Sequence, residues 1–232
     1  MHVGVISFPG SNGDHDAIHA LSHDLGVTVV PVDYREQDLA SLDAVVLPGG
    51  FSYGDALRCG AIARFAPSMN ALREFAASGR PVLGICNGFQ VLCEAHLLPG
   101  ALLRNRTLRF HCHWTHVRIE QPRTPWTCGL VEGEVLRLPV AHGEGAYYVD
   151  EVTLEALERN GQIVARYCSP EGAIDDATNP NGSVGNIAAV CNPERNVVGI
   201  MPHPERATSD LIGGADGLRL LRSLLRSAPI PA

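Results

Sequence analysis

Two short stretches carry side chains suited to covalent chemistry. The first is Gly84-Ile-Cys-Asn-Gly88, a Gly-x-Cys-x-Gly pattern set between an apolar run ending at Ile85 and a helical pattern from Asn87 to Ala95. The second is Met201-Pro-His-Pro-Glu205, which closes another apolar run beginning at Val197. A thiol nucleophile needs a base within hydrogen-bond reach and a third group to orient that base. Cys86, His203 and Glu205 supply one of each, so the chemistry they suit is attack of sulfur on a carbonyl carbon while an imidazole moves protons. Each stretch alone has a plainer reading: Cys86 as a small buried apolar residue, His-Pro-Glu as an ordinary surface loop.

These side chains meet only if the backbone delivers them. Gly84 and Gly88 lack the side chains that would obstruct a strained strand-to-helix turn at Cys86, and the following helix presents its positive end to the sulfur, favouring thiolate over thiol. The run ending at Met201 predicts a strand that brings His203 to the same sheet edge, where open α/β sheets place ligands. Pro202 and Pro204 predict an extended segment in which His203 and Glu205, two residues apart, point the same way. Gly49-Gly50 follows the apolar run Asp43 to Leu47, and its unobstructed amides can join that of Asn87 in an oxyanion hole, each donor worth ~2.7–4 kcal/mol of barrier.

The remaining pattern predicts strands over Val3 to Ser7 and Val27 to Val32 and a helix over Asp14 to Leu25 stopped by Gly26. Further helices are expected over Ala56 to Arg64 and over Pro67 to Ser78, with Pro67 in the first turn and Gly79 at the end. The early apolar runs are continuous rather than alternating, as in strands of a parallel sheet covered on both faces. From Leu102 to Val149 alternating and aromatic residues predict strands and loops. A short helix over Leu154 to Asn160, strands over Ile163 to Tyr167, Ile187 to Val190 and Val197 to Met201, and a closing helix over Ala215 to Arg226 complete the reading. The fold expected is one α/β domain over residues 1–232, a mostly parallel open sheet flanked by helices with an additional β-rich segment in the middle of the chain.

The 232 residues are 45% hydrophobic, enough for a full core. A formal charge of -7 with only 18 Lys+Arg argues against a nucleic-acid or polybasic membrane surface. Seven cysteines without paired spacing and a strand-like start point to reduced thiols in a cytoplasm. No apolar run approaches the ~18 residues needed to span a bilayer.

Pro48-Gly-Gly-Phe-Ser-Tyr-Gly-Asp55, Gly84-Ile-Cys-Asn-Gly-Phe-Gln90, Ala141-His-Gly-Glu-Gly145, Asn179-Pro-Asn-Gly-Ser183 and Met201-Pro-His-Pro-Glu-Arg206 together resemble the glutaminase subunits of phosphoribosylformylglycinamidine synthase, a branch of the class I glutamine amidotransferases. Their order and spacing match along nearly the whole chain. One departure is Gly13, where many relatives read Asn-Cys-Asp; it lies outside the triad. The resemblance implies that Cys86 attacks the side-chain amide of L-glutamine, that His203 is base and then acid, and that Glu205 orients it. It implies oxyanion amides from Gly50 and Asn87 and a glutamine contact from Gln90. No Gly-x-x-x-x-Gly-Lys-[Ser/Thr] loop is present, so this chain is expected to need no cofactor. ATP, magnesium and formylglycinamide ribonucleotide are then expected on a larger synthetase subunit, with a small bridging subunit in the same complex.

Other residues allow competing readings. Phe51 and Tyr53 suit a wall of the glutamine site or a partner contact. His142 and Glu144 suit a loop bordering that site, a rival base pair, or a plain turn. His111, His113 and His116 invite a metal reading, but no second Cys/His cluster has zinc-site spacing, so no metal is expected. A non-enzymatic relative with a vestigial site, or a cysteine hydrolase acting on peptides, remains open as an alternative; the complete Cys86, His203 and Glu205 set favours the amidotransferase.

Overall fold

The computed structural model describes residues 1–227. In chain order its strands are β1 (His2–Ser7), β2 (Thr28–Asp33), β3 (Ala44–Leu47), β4 (Val82–Ile85), β5 (Ala101–Leu103), β6 (His111–Ile119), β7 (Val135–His142), β8 (Ala146–Tyr148), β9 (Ile163–Cys168), β10 (Ile187–Cys191) and β11 (Val197–Ile200). The α-helices are α1 (Asp14–His19), α2 (Pro67–Ala77), α3 (Asn87–Glu94), α4 (Glu151–Arg159) and α5 (Asp216–Ser227). Nine strands form one sheet in the order β2-β1-β3-β4-β11-β10-β9-β6-β7, while β5 and β8 pair separately.

The sheet changes character along its width. From β2 to β11 every pairing is parallel; from β11 to β7 every pairing is antiparallel. The central strands β3, β4, β10 and β11 are buried at every residue, which is why they read as unbroken apolar runs. In β6 and β7 buried positions largely alternate with more exposed ones, as the mixed pattern of that segment suggested. The expected β-rich segment therefore does not stand apart; β6 and β7 extend the main sheet.

Four local expectations need correction. β2 is not covered on both faces: it is the edge strand, with Val29 and Val30 half-buried and Pro31 placed where a missing N–H costs no ladder bond. Residues 56–64 do not form a helix. Tyr53, Asp55 and Leu57 have φ of 54°, 54° and 71°, outside the helical range, so the segment turns repeatedly until a short 3-10 turn at Ala63–Phe65. The helix begun at Asp14 passes into a π-helical turn over Ala20–Asp24 before Gly26. The helix expected from Leu154 starts earlier, at Glu151, because the Asp150 carboxylate caps it by accepting from the Thr153 amide at 2.8 Å. No helix among the described residues is long and apolar enough to cross a membrane.

Candidate active site

Strands β3, β4 and β11 are adjacent and parallel, in a register that aligns Leu47 with Gly84 and Ile85 with Ile200. The residues that follow them, Gly49, Cys86 and His203, therefore leave the sheet side by side. Beyond Ile85 the Cys86 amide still donates to Ile200 O at 2.8 Å, and one turn later the Gln90 amide donates to Cys86 O at 3.1 Å. Between these bonds Cys86 is held at φ 51°, ψ −102°, a conformation that L-residues seldom adopt and that an over-determined surrounding must enforce. Gly88 explains part of that enforcement: a Cβ there would lie 2.1 Å from Leu47 O, so only glycine lets α3 seat directly on the strands.

His203 is fixed from three sides. Its amide donates to Pro139 O of β7 at 2.8 Å, Arg206 N closes a turn onto His203 O at 3.2 Å, and a Cβ on Gly49 would stand 2.8 Å from its Cε1. The segment is not extended as the prolines suggested. Pro204–Arg206 forms a 3-10 turn with Pro204 in its first position, where the missing N–H is not needed. That turn folds Glu205 back so that its Oε1 lies 2.6 Å from His203 Nδ1, with both side chains buried. Arg206 Nε approaches the same carboxylate at 3.7 Å.

Because Nδ1 serves Glu205, Nε2 of His203 is left for Cys86. Nε2 is buried with no hydrogen-bond partner among the described residues, while the thiol points to Ala141 O at 3.7 Å. Burial alone would lower the pKa of His203, but the Glu205 carboxylate and the Cys86 sulfur together raise it to about 10. The imidazole is thus held protonated through neutral pH, beside a cysteine sulfur and tethered to an anion.

Gly50, at φ 150°, and Asn87, first residue of α3, have backbone amides that no described residue accepts, and both residues adjoin Cys86. A cavity of about 240 Å³ opens over Cys86 and is lined also by Gly50, Phe51, Gln90, His142 and Glu144. Gln90 borders the cavity but its carboxamide is already used: Oε1 accepts from Asn87 Nδ2 at 2.9 Å and Nε2 donates to Glu144 O at 2.6 Å. Asn87 Oδ1 accepts in turn from Ser52 N at 3.1 Å. Gln90 therefore braces the wall from β3 loop to β7 loop. Phe51 is half-exposed at the mouth.

His142 is 3% exposed, and its surroundings decide its tautomer. Asn105 Nδ2 donates to Arg109 O and to His142 O, both at 2.8 Å, so Asn105 Oδ1 is the acceptor. It accepts from Gly145 N and from His142 Nδ1, each at 3.0 Å, leaving His142 Nε2 as a bare, buried acceptor. Burial, with His203 nearby, lowers the pKa of His142 to about 3, so it is neutral. Nothing in the sequence flagged Asn105; the glycines around His142 announced a tight loop but not what the loop holds.

The other histidines do not gather. His111 and His113 pack edge to face at 5.5 Å, and His111 Nε2 contacts Thr107 Oγ1 at 2.7 Å. Among the described residues the one His/Cys/Asp/Glu group whose ligand atoms converge, within 4.8 Å, is His19, His23 and Asp24 on the π-helical turn. It borders a groove of about 750 Å³ behind His203 and Glu205.

Comparison with known proteins agrees with this geometry. A family model described as CobB/CobQ-like glutamine amidotransferase domain matches residues 1–213. The chain is 59% identical over 225 residues to the phosphoribosylformylglycinamidine synthase subunit PurQ of Thermomicrobium roseum, covering 97% of this chain and 95% of that one. It is 56% identical to PurQ of Rubrobacter xylanophilus over 99% of this chain and 100% of that protein. Among solved structures it is similar to a chain of PurLQS from Thermotoga maritima, with TM-score 0.85, 41% identity and 97% of each chain covered. A glutamine amidotransferase from Thermotoga maritima at 17% identity and TM-score 0.63, with 97% of this chain and 96% of that one covered, shares the fold. A cysteine on a strand-to-helix turn, with a buried imidazole and carboxylate at its side, is thus set in a chain that belongs to the PurQ family of glutamine amidotransferases.

Proposed function

We propose that the chain is the glutaminase subunit of phosphoribosylformylglycinamidine synthase, hydrolysing L-glutamine to glutamate and passing the ammonia to a synthetase subunit. The observation that carries this reading is the strained Cys86 beside the His203–Glu205 pair at 2.6 Å. The Cys86 sulfur, its proton already taken up by His203, attacks the carboxamide carbon, and the oxygen takes up the electron pair as a tetrahedral oxyanion. The amides of Gly50 and Asn87 donate to it, each worth ~2.7–4 kcal/mol. His203 then gives its Nε2 proton to the leaving nitrogen, and ammonia departs as the glutamyl thioester forms. A water, losing one proton to His203, attacks the thioester carbon, and breaking of the C–S bond releases glutamate and returns the deprotonated sulfur beside the protonated imidazole. Glu205 keeps the imidazole oriented and its positive charge balanced throughout.

The chain itself uses no cofactor in this reading. The synthetase partner holds ATP, magnesium and formylglycinamide ribonucleotide, a small bridging subunit completes the complex, and the assembly works in the cytoplasm. Cys86→Ser in the reconstituted complex is expected to abolish glutamine-dependent synthesis while ammonia-dependent synthesis survives. Loss of both activities, or glutamine-dependent turnover at the wild-type rate, overturns the assignment.

A further inference from the structure

Glutamine hydrolysis leaves unused a second cluster of ligating side chains, His19, His23 and Asp24, where α1 passes into the π-helical turn. Residues five apart in an α-helix point about 140° away from one another, so Asp24 would not share a face with His19. Here the helix widens instead. The Leu25 amide donates to Ala20 O at 3.0 Å, the five-residue bond of a π turn, a rare feature that recurs at functional sites. That turn gathers all three side chains. The rings of His19 and His23 stack with centroids 4.8 Å apart. His19 Nδ1 stands 3.5 Å from Asp24 Oδ2, and His23 Nδ1 stands 3.1 Å from Asp24 Oδ1.

Hydrogen bonding does not exhaust the cluster. Asp24 Oδ2 is shielded from solvent yet has no hydrogen-bond partner, and among the described residues no Lys or Arg pairs with this carboxylate. An oxygen so placed is costly unless a cation or a donor meets it. The spacing suits a cation. Ligand atoms around one tetrahedral zinc stand about 3.3 Å apart, given bonds of about 2.0–2.1 Å. The two nitrogen-to-oxygen separations, 3.1 and 3.5 Å, bracket that value, and one ligand atom from each residue lies within 4.8 Å of the others. Two imidazoles with one carboxylate are a zinc donor set, whereas calcium and magnesium take oxygen ligands.

We propose that His19, His23 and Asp24 form a zinc site, with water completing the coordination. The ion is structural and takes no part in glutamine hydrolysis. The cluster borders the groove whose lining also includes His203 and Glu205, and Arg206 Nε ties α1 to that turn through Asp16 Oδ2 at 2.8 Å. A loaded site therefore pins the π turn beside the segment that carries the imidazole and its carboxylate.

The test titrates the full-length chain, freed of metal with a chelator, with Zn²⁺ by calorimetry and follows its melting. One ion per chain is expected, with a rise in melting temperature as the folded state binds it. His19→Ala and His23→Ala remove side chains that are 65% and 76% exposed, so folding is spared. Each should weaken binding about 100-fold or more, since even the outer-shell partners of a metal are worth about 10- to 100-fold. The chain also has seven cysteines, so Co²⁺ separates the two kinds of donor. The first equivalent should give a nitrogen and oxygen spectrum without a sulfur-to-cobalt charge-transfer band. Zinc affinity retained by both histidine variants, a sulfur band at the first equivalent, or no binding to the wild type overturns the site.

Discussion

His203 follows β11 in the parallel half of the sheet, and His142 ends β7 in the antiparallel half. Both are buried, yet His203 is held positive with a pKa raised to about 10 and His142 neutral with one lowered to about 3. The same burial disfavours the charged form of each. What differs is the company: His203 has a carboxylate, Glu205, 2.6 Å from Nδ1 and the Cys86 sulfur nearby, whereas His142 has a carboxamide, Asn105, at 3.0 Å and no anion. The backbone brings an imidazole into place, but its neighbours decide whether it is charged or neutral.

The comparison breaks most visibly at Glu205. Glu205→Gln makes the environment of His203 resemble that of His142, and ammonia release from glutamine should fall about 10³- to 10⁴-fold, the loss expected when an orienting carboxylate becomes an amide. Imidazole titration followed by NMR should show the His203 pKa falling with it; a rate near wild type would show that Glu205 does not set the chemistry.

Close packing differs between two glycines of these regions as well. Gly88→Ala drives a Cβ to 2.1 Å from Leu47 O and should destabilise the protein by about 3 kcal/mol or more in thermal melts. Gly143→Ala, where a Cβ would meet only Phe110 at 3.7 Å, should change stability by less than about 0.5 kcal/mol. Equal effects at the two sites would remove the distinction between a seated helix and an open loop.

Asn105 sharpens the comparison in the other direction. Asn105→Ala strands His142 Nδ1 and Gly145 N and should cost about 1–3 kcal/mol. Asn105→Asp gives His142 a carboxylate, and its pKa should rise towards that of His203 in the same NMR titration.

A further effect is in the pH dependence of stability. The raised pKa of His203 gives a contribution that is complete below 6.5 and lost as pH rises through about 10. For His142 the sense reverses: its contribution is present above 6.5 and lost as pH falls towards about 3. Melting temperature should therefore decline on both limbs, with Glu205→Gln flattening the alkaline one and Asn105→Asp the acid one. Unchanged limbs in the two variants would assign the decline to other groups.

The parallel half was far more legible than the antiparallel half. Continuous apolar runs at Ala44–Leu47, Val82–Ile85 and Val197–Ile200, each followed by Gly or Pro punctuation, mark both the strands and the edge where Cys86 and His203 emerge. The prolines misled about shape, since Pro204 opens a 3-10 turn rather than holding the chain extended. Asn105 was invisible because its role consists of bonds to residues 37 and 40 positions away. The bracing role of Gln90 depends in the same way on Glu144, 54 positions on. Local periodicity reports which face of an element is buried; it does not report which distant loop that element will meet.

The bond from the Cys86 amide to Ile200 O has a consequence for the order in which the molecule is made. A growing polypeptide that has emerged from the ribosome as far as β10 has its thiol but neither the strand that pins it nor the imidazole and carboxylate beyond. The geometry around the thiol is therefore completed only with the final portion of translation.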